Sequence, residues 1–249
     1  MTIKEFISAF DLIVPQGVRF SDDNVGLHVG NEKAKLTGVM IAHEMNPKIV
    51  DEAAQKKCNL IVCYHPLVFD PLKRVVAGDK TGNIILKLAE KKVALFIAHT
   101  NFDSVKNGTN FLLAGKLGLK DCEFLLPMER SLVKVAVFTP QESVEIVSRV
   151  MWDAGAGTIG EYGDCSFRIE GTGTFFGSES SHPAKGRKSK LEKVQEVRIE
   201  MVVPRWRLTD VLQAMRDAHP YEEVAYDVLP LENKGVNYGM GAVGDLPSS

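Results

Sequence analysis

The sequence is poor in the features that mark disulfide-rich, membrane-spanning and nucleic-acid-binding proteins. Four of its 249 residues are cysteine, and none forms a CxxC pair. This usage favours reduced thiols in a cytoplasmic protein over a disulfide framework. No apolar run approaches the roughly 20 residues that a membrane-spanning helix requires. The N-terminal stretch MTIKEFISAFDLIVP lacks the pattern of a signal peptide. A formal net charge of −2 gives no strong signal for nucleic-acid binding.

The common motifs for nucleotide binding and nucleophilic catalysis are also missing. Two glycine patterns, GAGTIG at 155–160 and GMGAVG at 239–244, match GxGxxG. Neither follows a predicted strand and opens a helix, which is the context that dinucleotide binding requires. The sequence contains no GxSxG, Walker A or HExxH motif. These motifs therefore give no support for dinucleotide binding or for a nucleophilic serine.

The first half of the chain contains a regular alternation of strands and helices. The predicted strands are continuous apolar runs and cover 37–42, 59–64 and 93–98. The predicted helices have amphipathic spacing and cover 3–14, 47–57, 81–91 and 108–117. Continuous apolar strands are typical of a parallel sheet that is covered on both faces. We therefore expect an α/β fold, with a polar loop between the first helix and the first strand.

The second half follows a β-α-β-β-α-β order. Its predicted strands are 133–140, 165–177, 196–204 and 224–231, and its predicted helices are 141–155 and 207–218. This order predicts a ferredoxin-like α+β unit. The residues 178–190 between two of these strands are rich in Ser, Lys and Gly, which is typical of a loop.

Three successive predicted strands of the first half each run into a histidine. His43, His65 and His99 follow the apolar runs directly, with Glu44 beside the first and Asp103 four residues after the last. The carboxyl ends of parallel strands share one edge of a sheet, where ligand sites of open α/β sheets form. Histidine together with carboxylates is the ligand set of zinc, manganese or iron. Pro66 biases the backbone of His65 away from helix, so its side chain is held at the strand end.

The pattern alone leaves a second interpretation open, in which these histidines are buried or edge residues that hydrogen-bond to the backbone. His28, in GLHVG, is expected on a loop face. His219 lies in AHPYEEVAYD, which is typical of a helix-to-strand turn. We expect a structural or interface role for that segment, although His219, Glu222 and Glu223 are types of residue that bind metals.

Several motifs taken together resemble the Nif-three-like proteins, often labelled GTP cyclohydrolase I type 2 homologues. The motifs are DDNVGLHVG, YHPLVF, AHTNFD, GAGTIGEYGDCSF with EGTGTFF, and AHPYEEVAYDVLPLEN. The resemblance implies an α/β domain with a dinuclear metal site and an inserted α+β domain similar to the CutA and PII proteins. It assigns 1–128 to the first half of the metal domain and 131–245 to the insert. It also implies that the second half of the metal domain would follow Ser249.

The resemblance carries metal-ligand roles onto particular residues of this chain. The second histidine of the family's His-His-Pro motif falls on His65, the aspartate of its His-Thr-Asn-x-Asp motif falls on Asp103, and His99 stands beside it. The first histidine of His-His-Pro is replaced by Tyr64, a poor ligand at neutral pH because a phenol has a pKa of about 10. We therefore expect a partial metal site, to which His43 and Glu44 could add local ligands.

Two functions are compatible with this resemblance. The first is divalent-metal binding with metal-dependent hydrolysis of a small molecule, for which the family label suggests GTP. The second is a non-catalytic metal-binding or regulatory scaffold whose inserted domain drives assembly. In either case the resemblance implies a homo-oligomer, a ring or a trimer-based hexamer.

Overall fold

The chain divides into two compact units. The computed structural model describes residues 1–233 and 237–246. Unit 1 consists of Met1–Pro127 with the described residues 237–246, and unit 2 consists of residues 128–233. The resemblance placed the end of the insert at 245, but the C-terminal strands pair within unit 1. Among the described residues no helix has the length and apolar character to cross a membrane.

Unit 1 is built from short helices and strands. In chain order they are α1 (Ile3–Ile13), β1 (Gly26–Val29), β2 (Val39–Ala42), α2 (Pro47–Gln55), β3 (Leu60–Cys63), α3 (Lys80–Lys91), β4 (Ala94–Ile97), α4 (Thr100–Asp103), α5 (Thr109–Lys116), β5 (Lys120–Glu123) and β6 (Leu126–Pro127). Local sequence sets the helix starts. Thr2 and Glu5 form a capping box on α1, and the Asn46 side chain caps α2 ahead of Pro47.

The main sheet of unit 1 has the order β1-β4-β3-β2. Strands β2, β3 and β4 are parallel, and β1 pairs antiparallel with β4. Alternate residues of the central strands face two hydrophobic cores: Ile61 packs with the residues of α2 and α3, while Leu60 packs with those of α1. The predicted parallel sheet with both faces covered is thus confirmed for β3 and β4.

The sheet differs from the expectation at both edges. The stretch expected to be a polar loop contains β1, whose pairing with β4 makes the sheet mixed. At the other edge, β2 is not covered as its apolar sequence suggested, since Ile41 is 85% exposed. Strand β2 is at the edge of a small sheet and has a neighbouring strand on one side only. Fewer elements are therefore available to pack over its side chains.

Unit 2 has the ferredoxin-like fold that its element order predicted. It contains β7 (Leu132–Pro140), α6 (Val144–Asp153), β8 (Phe167–Phe176), β9 (Leu191–Pro204), α7 (Leu208–Ala218) and β10 (Tyr226–Pro230). The antiparallel sheet has the order β10-β7-β9-β8, and α6 and α7 contribute to one buried core with it. The central strand β7 places Val133, Val135 and Val137 in that core.

The last strands of the chain belong to unit 1. Strand β11 (Gly239–Met240) pairs with β6, and β12 (Val243–Asp245) pairs with β5. The GMGAVG pattern therefore lies on two short strands, as expected for a pattern without nucleotide-binding context. GAGTIG follows α6, where Gly155 has φ 103° and Gly157 has φ 74°, backbone conformations that favour glycine.

Candidate metal centre

The ends of the three parallel strands bring three histidines to one edge of the sheet. His43 follows β2, His65 lies two residues after β3, and His99 lies two residues after β4. Backbone pairing continues beyond the strands, because the His65 N–H donates to the His43 carbonyl at 3.0 Å. This continued register explains why residues distant in sequence meet here, as the sequence predicted.

The closest group of potential ligands consists of His43, Glu44 and His65. Within the described residues, one donor atom from each of these side chains lies within 4.8 Å of the other two. His65 Nδ1 is 3.3 Å from Glu44 Oε1, and the His43 and His65 rings have their centroids 4.4 Å apart. His43 and Glu44 are exposed, whereas His65 is partly buried. Glu44, which the sequence offered with His43 as a possible local ligand, is thus a partner of His65.

Tyr64 and Asp103 form a separate contact at the same edge. The Tyr64 hydroxyl lies 3.0 Å from each oxygen of the Asp103 carboxylate and donates a hydrogen bond shared between them. Burial, and then this carboxylate, raise the pKa of Tyr64 to about 12. Tyr64 therefore stays a neutral hydrogen-bond donor at neutral pH, and the Asp103 carboxylate is its acceptor.

His99 is held by a buried carboxylate that the sequence analysis did not assign. His99 Nδ1 is 3.0 Å from Asp23 Oδ1, and the other oxygen of Asp23 accepts from the backbone and hydroxyl groups of Thr100. Burial acts to raise the pKa of Asp23, but the hydrogen bonds from Thr100 and His99 outweigh it and hold the pKa below its usual value. An ionised carboxylate only accepts, so Nδ1 carries the ring proton and Nε2 is available as an acceptor or ligand.

The other histidines discussed from the sequence lie outside this group. His28 is on β1 rather than in a loop, and its Nε2 donates to the Asn24 carbonyl at 3.0 Å. His219, in unit 2, is buried; its Nε2 donates to the Phe138 carbonyl at 3.0 Å and its Nδ1 accepts from the Tyr221 N–H. Both ring nitrogens of His219 are therefore used in local structure, in agreement with the structural role expected for it.

Cys63 contacts the backbone of His43 and His65 but has the character of a core thiol. Its side chain is fully buried, and its Sγ is 3.5 Å from the His43 carbonyl oxygen and 3.4 Å from that of His65. Burial raises the pKa of the Cys63 thiol to about 11. A thiol that stays protonated is a poor nucleophile, so Cys63 is a core residue and not a candidate nucleophile.

The donor set at this edge fits a borderline divalent ion. Imidazole nitrogens and carboxylate oxygens suit zinc, iron or manganese. The ring centroids of His65 and His99 are 5.7 Å apart, so His99 lies farther from His65 than His43 does. The hydrogen bond from His99 to the Asp23 carboxylate resembles the way metal-binding histidines are oriented in proteins.

A mixed sheet with histidines and carboxylates at its strand ends, in a chain that also folds a ferredoxin-like unit, defines an α/β protein with a candidate metal centre. The family model described as Duf34/NIF3 (NGG1p interacting factor 3) matches residues 1–249. This chain belongs to that family, as the sequence resemblance indicated.

Curated relatives carry a consistent name. A protein of Bacillus subtilis named GTP cyclohydrolase 1 type 2 homolog is 37% identical over 244 residues, covering 98% of this chain and 65% of the relative. A Mycobacterium tuberculosis protein of the same name is 35% identical over 247 residues, covering 98% of this chain and 65% of the relative. The chain thus spans about two thirds of the length of these relatives.

Solved structures share the fold over nearly the whole chain. A Bacillus cereus protein related to NIF3 superposes with a TM-score of 0.77 at 42% identity, covering 98% of this chain and 65% of that one. The Staphylococcus aureus protein SA1388 has a TM-score of 0.66 at 28% identity, covering 100% of this chain and 64% of that one. These likenesses extend through both units.

Proposed function

We propose that this chain binds a divalent metal ion at the C-terminal ends of β2, β3 and β4, with His65 as a ligand. The observation that carries the proposal is the convergence on His65. The Glu44 carboxylate lies 3.3 Å from one of its ring nitrogens, and the His43 and His99 rings lie within 5.7 Å of its ring. Zinc, manganese and iron are the ions that suit these groups.

Asp103 and His99 are the other ligands that the family resemblance implies. Support for His99 comes from Asp23, which holds Nδ1 and leaves Nε2 free to bind an ion. Asp103 is within the same edge, although its carboxylate is engaged by Tyr64. These two assignments stay predictions.

The activity we propose for the metal-loaded protein is hydrolysis of a small molecule. A bound divalent ion supplies Lewis-acid chemistry and activates water near neutral pH. The name of the relatives makes GTP the first substrate to test, followed by simple phosphoesters. Where His99 is not a metal ligand, its Nε2, left available by the Nδ1 contact with Asp23, can accept a proton at the same edge. Release of formate or phosphate above the metal-free background would support this activity, and none from any of these substrates would reject it.

Metal binding is tested by equilibrium dialysis of chelator-treated protein against Zn²⁺, followed by elemental analysis. We expect about one ion per chain for the wild type, since the closest ligand group is a single set of three. His65→Ala is expected to lose that ion, because it removes the shared ligand. His182→Ala, which changes an exposed histidine of unit 2, is the matched control and should retain it. No bound ion in the wild type would overturn the proposal.

Assembly through unit 2 is a second proposed role, favoured by the exposed edge of its sheet. Strand β8 is one of the two edge strands, and Phe167 and Phe176 on it are 64% and 65% exposed. Ile169 on the same strand is 44% exposed. An apolar edge strand with unpaired backbone groups is a template for another chain. The occupant we propose is a second copy of this chain, giving a homo-oligomer in the cytoplasm.

Sedimentation velocity of the full chain tests this role. The wild type should sediment as an oligomer, and Ile169→Lys should shift it towards the monomer because a charge is placed on the edge strand. Leu12→Lys, at a residue of α1 that is 76% exposed, is the control for an added surface charge. A wild-type monomer at high protein concentration would contradict the proposal.

A further inference from the structure

We propose that the divalent ion of this chain is held by His43, Glu44 and His65, with Asp103 outside the ligand set. The inference rests on the proposed metal-binding function and specifies its ligands. His43 and Glu44 arise from the turn between β2 and α2, so the site would be built from two neighbouring strand ends. It is a site with two histidines and one carboxylate.

The separations of the donor atoms favour this group. Ligand atoms about 2.1 Å from an ion at tetrahedral angles lie about 3.4 Å from each other. His65 Nδ1 and Glu44 Oε1 are already 3.3 Å apart, and one donor atom from each of the three residues lies within 4.8 Å of the other two. Small rotations of exposed side chains would complete the geometry. His43 and Glu44 can make them, because both are exposed.

The arrangement of Asp103 argues against its being a ligand here. Both of its oxygens lie 3.0 Å from the Tyr64 hydroxyl, which therefore engages the whole carboxylate. Tyr64 also stacks on the His43 ring, with the centroids 5.5 Å apart and the planes 10° from parallel. The tyrosine that replaces a histidine of the family motif therefore stands between Asp103 and the His43 side of the edge. Binding the ion through Asp103 would require this contact to break.

His99 is also less suited than His43 to share an ion with His65. Its ring centroid is 5.7 Å from that of His65, compared with 4.4 Å for His43. The buried Asp23 fixes the His99 ring through Nδ1, which restricts the movement needed to close this distance. A rival arrangement uses Glu44 only to orient His65, with the ion bound by His65, His99 and Asp103.

The proposed ligand set leaves an exchangeable position on the ion. Three protein ligands with nitrogen and oxygen donors are typical of catalytic zinc sites, and two histidines with one carboxylate also bind Fe²⁺ with open positions. Because His43 and Glu44 are exposed, that position would face solvent. The site would therefore bind a single borderline divalent cation, and a small molecule could reach the open position on that ion.

The experiment is calorimetric titration of the chelator-treated full chain with Zn²⁺, repeated for single variants. His43→Ala and Glu44→Gln should each weaken Zn²⁺ binding at least about tenfold, the loss that removing even a hydrogen-bond partner of a metal ligand causes. His99→Ala and Asp103→Asn should bind close to the wild-type affinity. Glu90→Gln, at an exposed glutamate of α3, is the matched control for Glu44→Gln.

A second readout does not depend on affinity. The visible absorption of bound Co²⁺ reports the number and type of ligands, so His43→Ala and Glu44→Gln should change the spectrum while Asp103→Asn leaves it unchanged. Circular dichroism of each variant establishes that it is folded, which is expected for His43 and Glu44 because both are exposed.

The outcomes separate this inference from the proposed function. If Asp103→Asn weakens Zn²⁺ binding, alone or together with the other variants, the inference is overturned while metal binding at the edge stands. If His43→Ala and Glu44→Gln bind like the wild type, it is overturned as well. Failure of the wild type to bind, or equal binding by His65→Ala, overturns the proposed function itself.

Discussion

Tyr64 donates a hydrogen bond to the carboxylate of Asp103, and both residues are at positions where the family resemblance implies metal ligands. The hydroxyl is 3.0 Å from each carboxylate oxygen. The contact gives Asp103 a protein partner in place of an ion. It also places the aromatic ring against His43. The substitution of tyrosine in the family motif thus changes the surroundings of two candidate ligands at once.

The first prediction concerns the titration of Tyr64 in metal-free protein. In the wild type it should ionise at about pH 12, because burial and the Asp103 carboxylate raise its pKa. Asp103→Asn removes the negative charge and should move this pKa towards the ordinary value of about 10. Ultraviolet difference spectra of the two proteins, with Tyr64→Phe to assign the signal, measure the shift. Identical titrations would show that the contact is absent in solution.

A related prediction concerns Tyr64→His, which restores a neutral nitrogen donor and releases Asp103. We expect this variant to bind more Zn²⁺ per chain than the wild type, because the introduced imidazole would form a second group of donors with Asp103 and His99. Elemental analysis after dialysis measures the stoichiometry. Tyr162→His, at a tyrosine that is 75% exposed, is the control. An unchanged stoichiometry in Tyr64→His would count against this explanation of the tyrosine.

Asp23→Asn should destabilise the metal-free protein. The substitution replaces a buried, charged acceptor of hydrogen bonds from Thr100 and His99 with a neutral amide. This should lower the free energy of unfolding by about 2 kcal/mol. Because the folded-state pKa of Asp23 is lowered, its stabilisation is present above the unfolded value of about 3.9 and is lost as pH falls through the folded value. Urea unfolding measures the difference.

Asp22→Asn is the matched control for this variant, since Asp22 precedes Asp23 and is exposed. It should unfold at nearly the wild-type urea concentration. Equal unfolding of Asp23→Asn and Asp22→Asn would contradict a structural role for the Asp23 carboxylate.

A pH dependence of stability is expected from His219 in unit 2. Burial lowers its pKa, so the unfolded chain binds a proton more readily than the folded one. Stability should therefore fall as pH decreases through the unfolded value of about 6.5. His219→Gln keeps a donor for the Phe138 carbonyl and should reduce this dependence. Thermal unfolding between about pH 5 and 8 measures it, and equal slopes for the two proteins would refute the assignment.

Part of the candidate site could be predicted because parallel strands impose it. His43, His65 and His99 each follow a continuous apolar run, and parallel pairing brings the ends of such runs to one edge. The partners of these histidines could not be predicted in the same way. Asp23 reaches His99 from a loop 76 residues earlier in the chain. Its sequence neighbourhood carries no periodicity that would place it there.

The fold shows the same division between local and distant information. The ferredoxin-like unit followed from the order of long, strongly patterned elements. Strand β1 was missed because its four residues lie in a polar, glycine-containing stretch and depend on antiparallel pairing with β4. The boundary at the end of unit 2 was misplaced because β11 and β12 are very short and are defined only by their partners, β6 and β5.

The most direct test of a metal centre at this edge is a crystal of the full chain soaked with Zn²⁺, measured on both sides of the zinc absorption edge. We expect an anomalous difference peak within bonding distance of His65, on its His43 and Glu44 side. Bound zinc has nitrogen and oxygen ligands at about 2.0–2.2 Å. A map with no peak near His65 would contradict the proposed metal centre, and a peak on Asp103 and His99 would contradict the ligand set proposed for it.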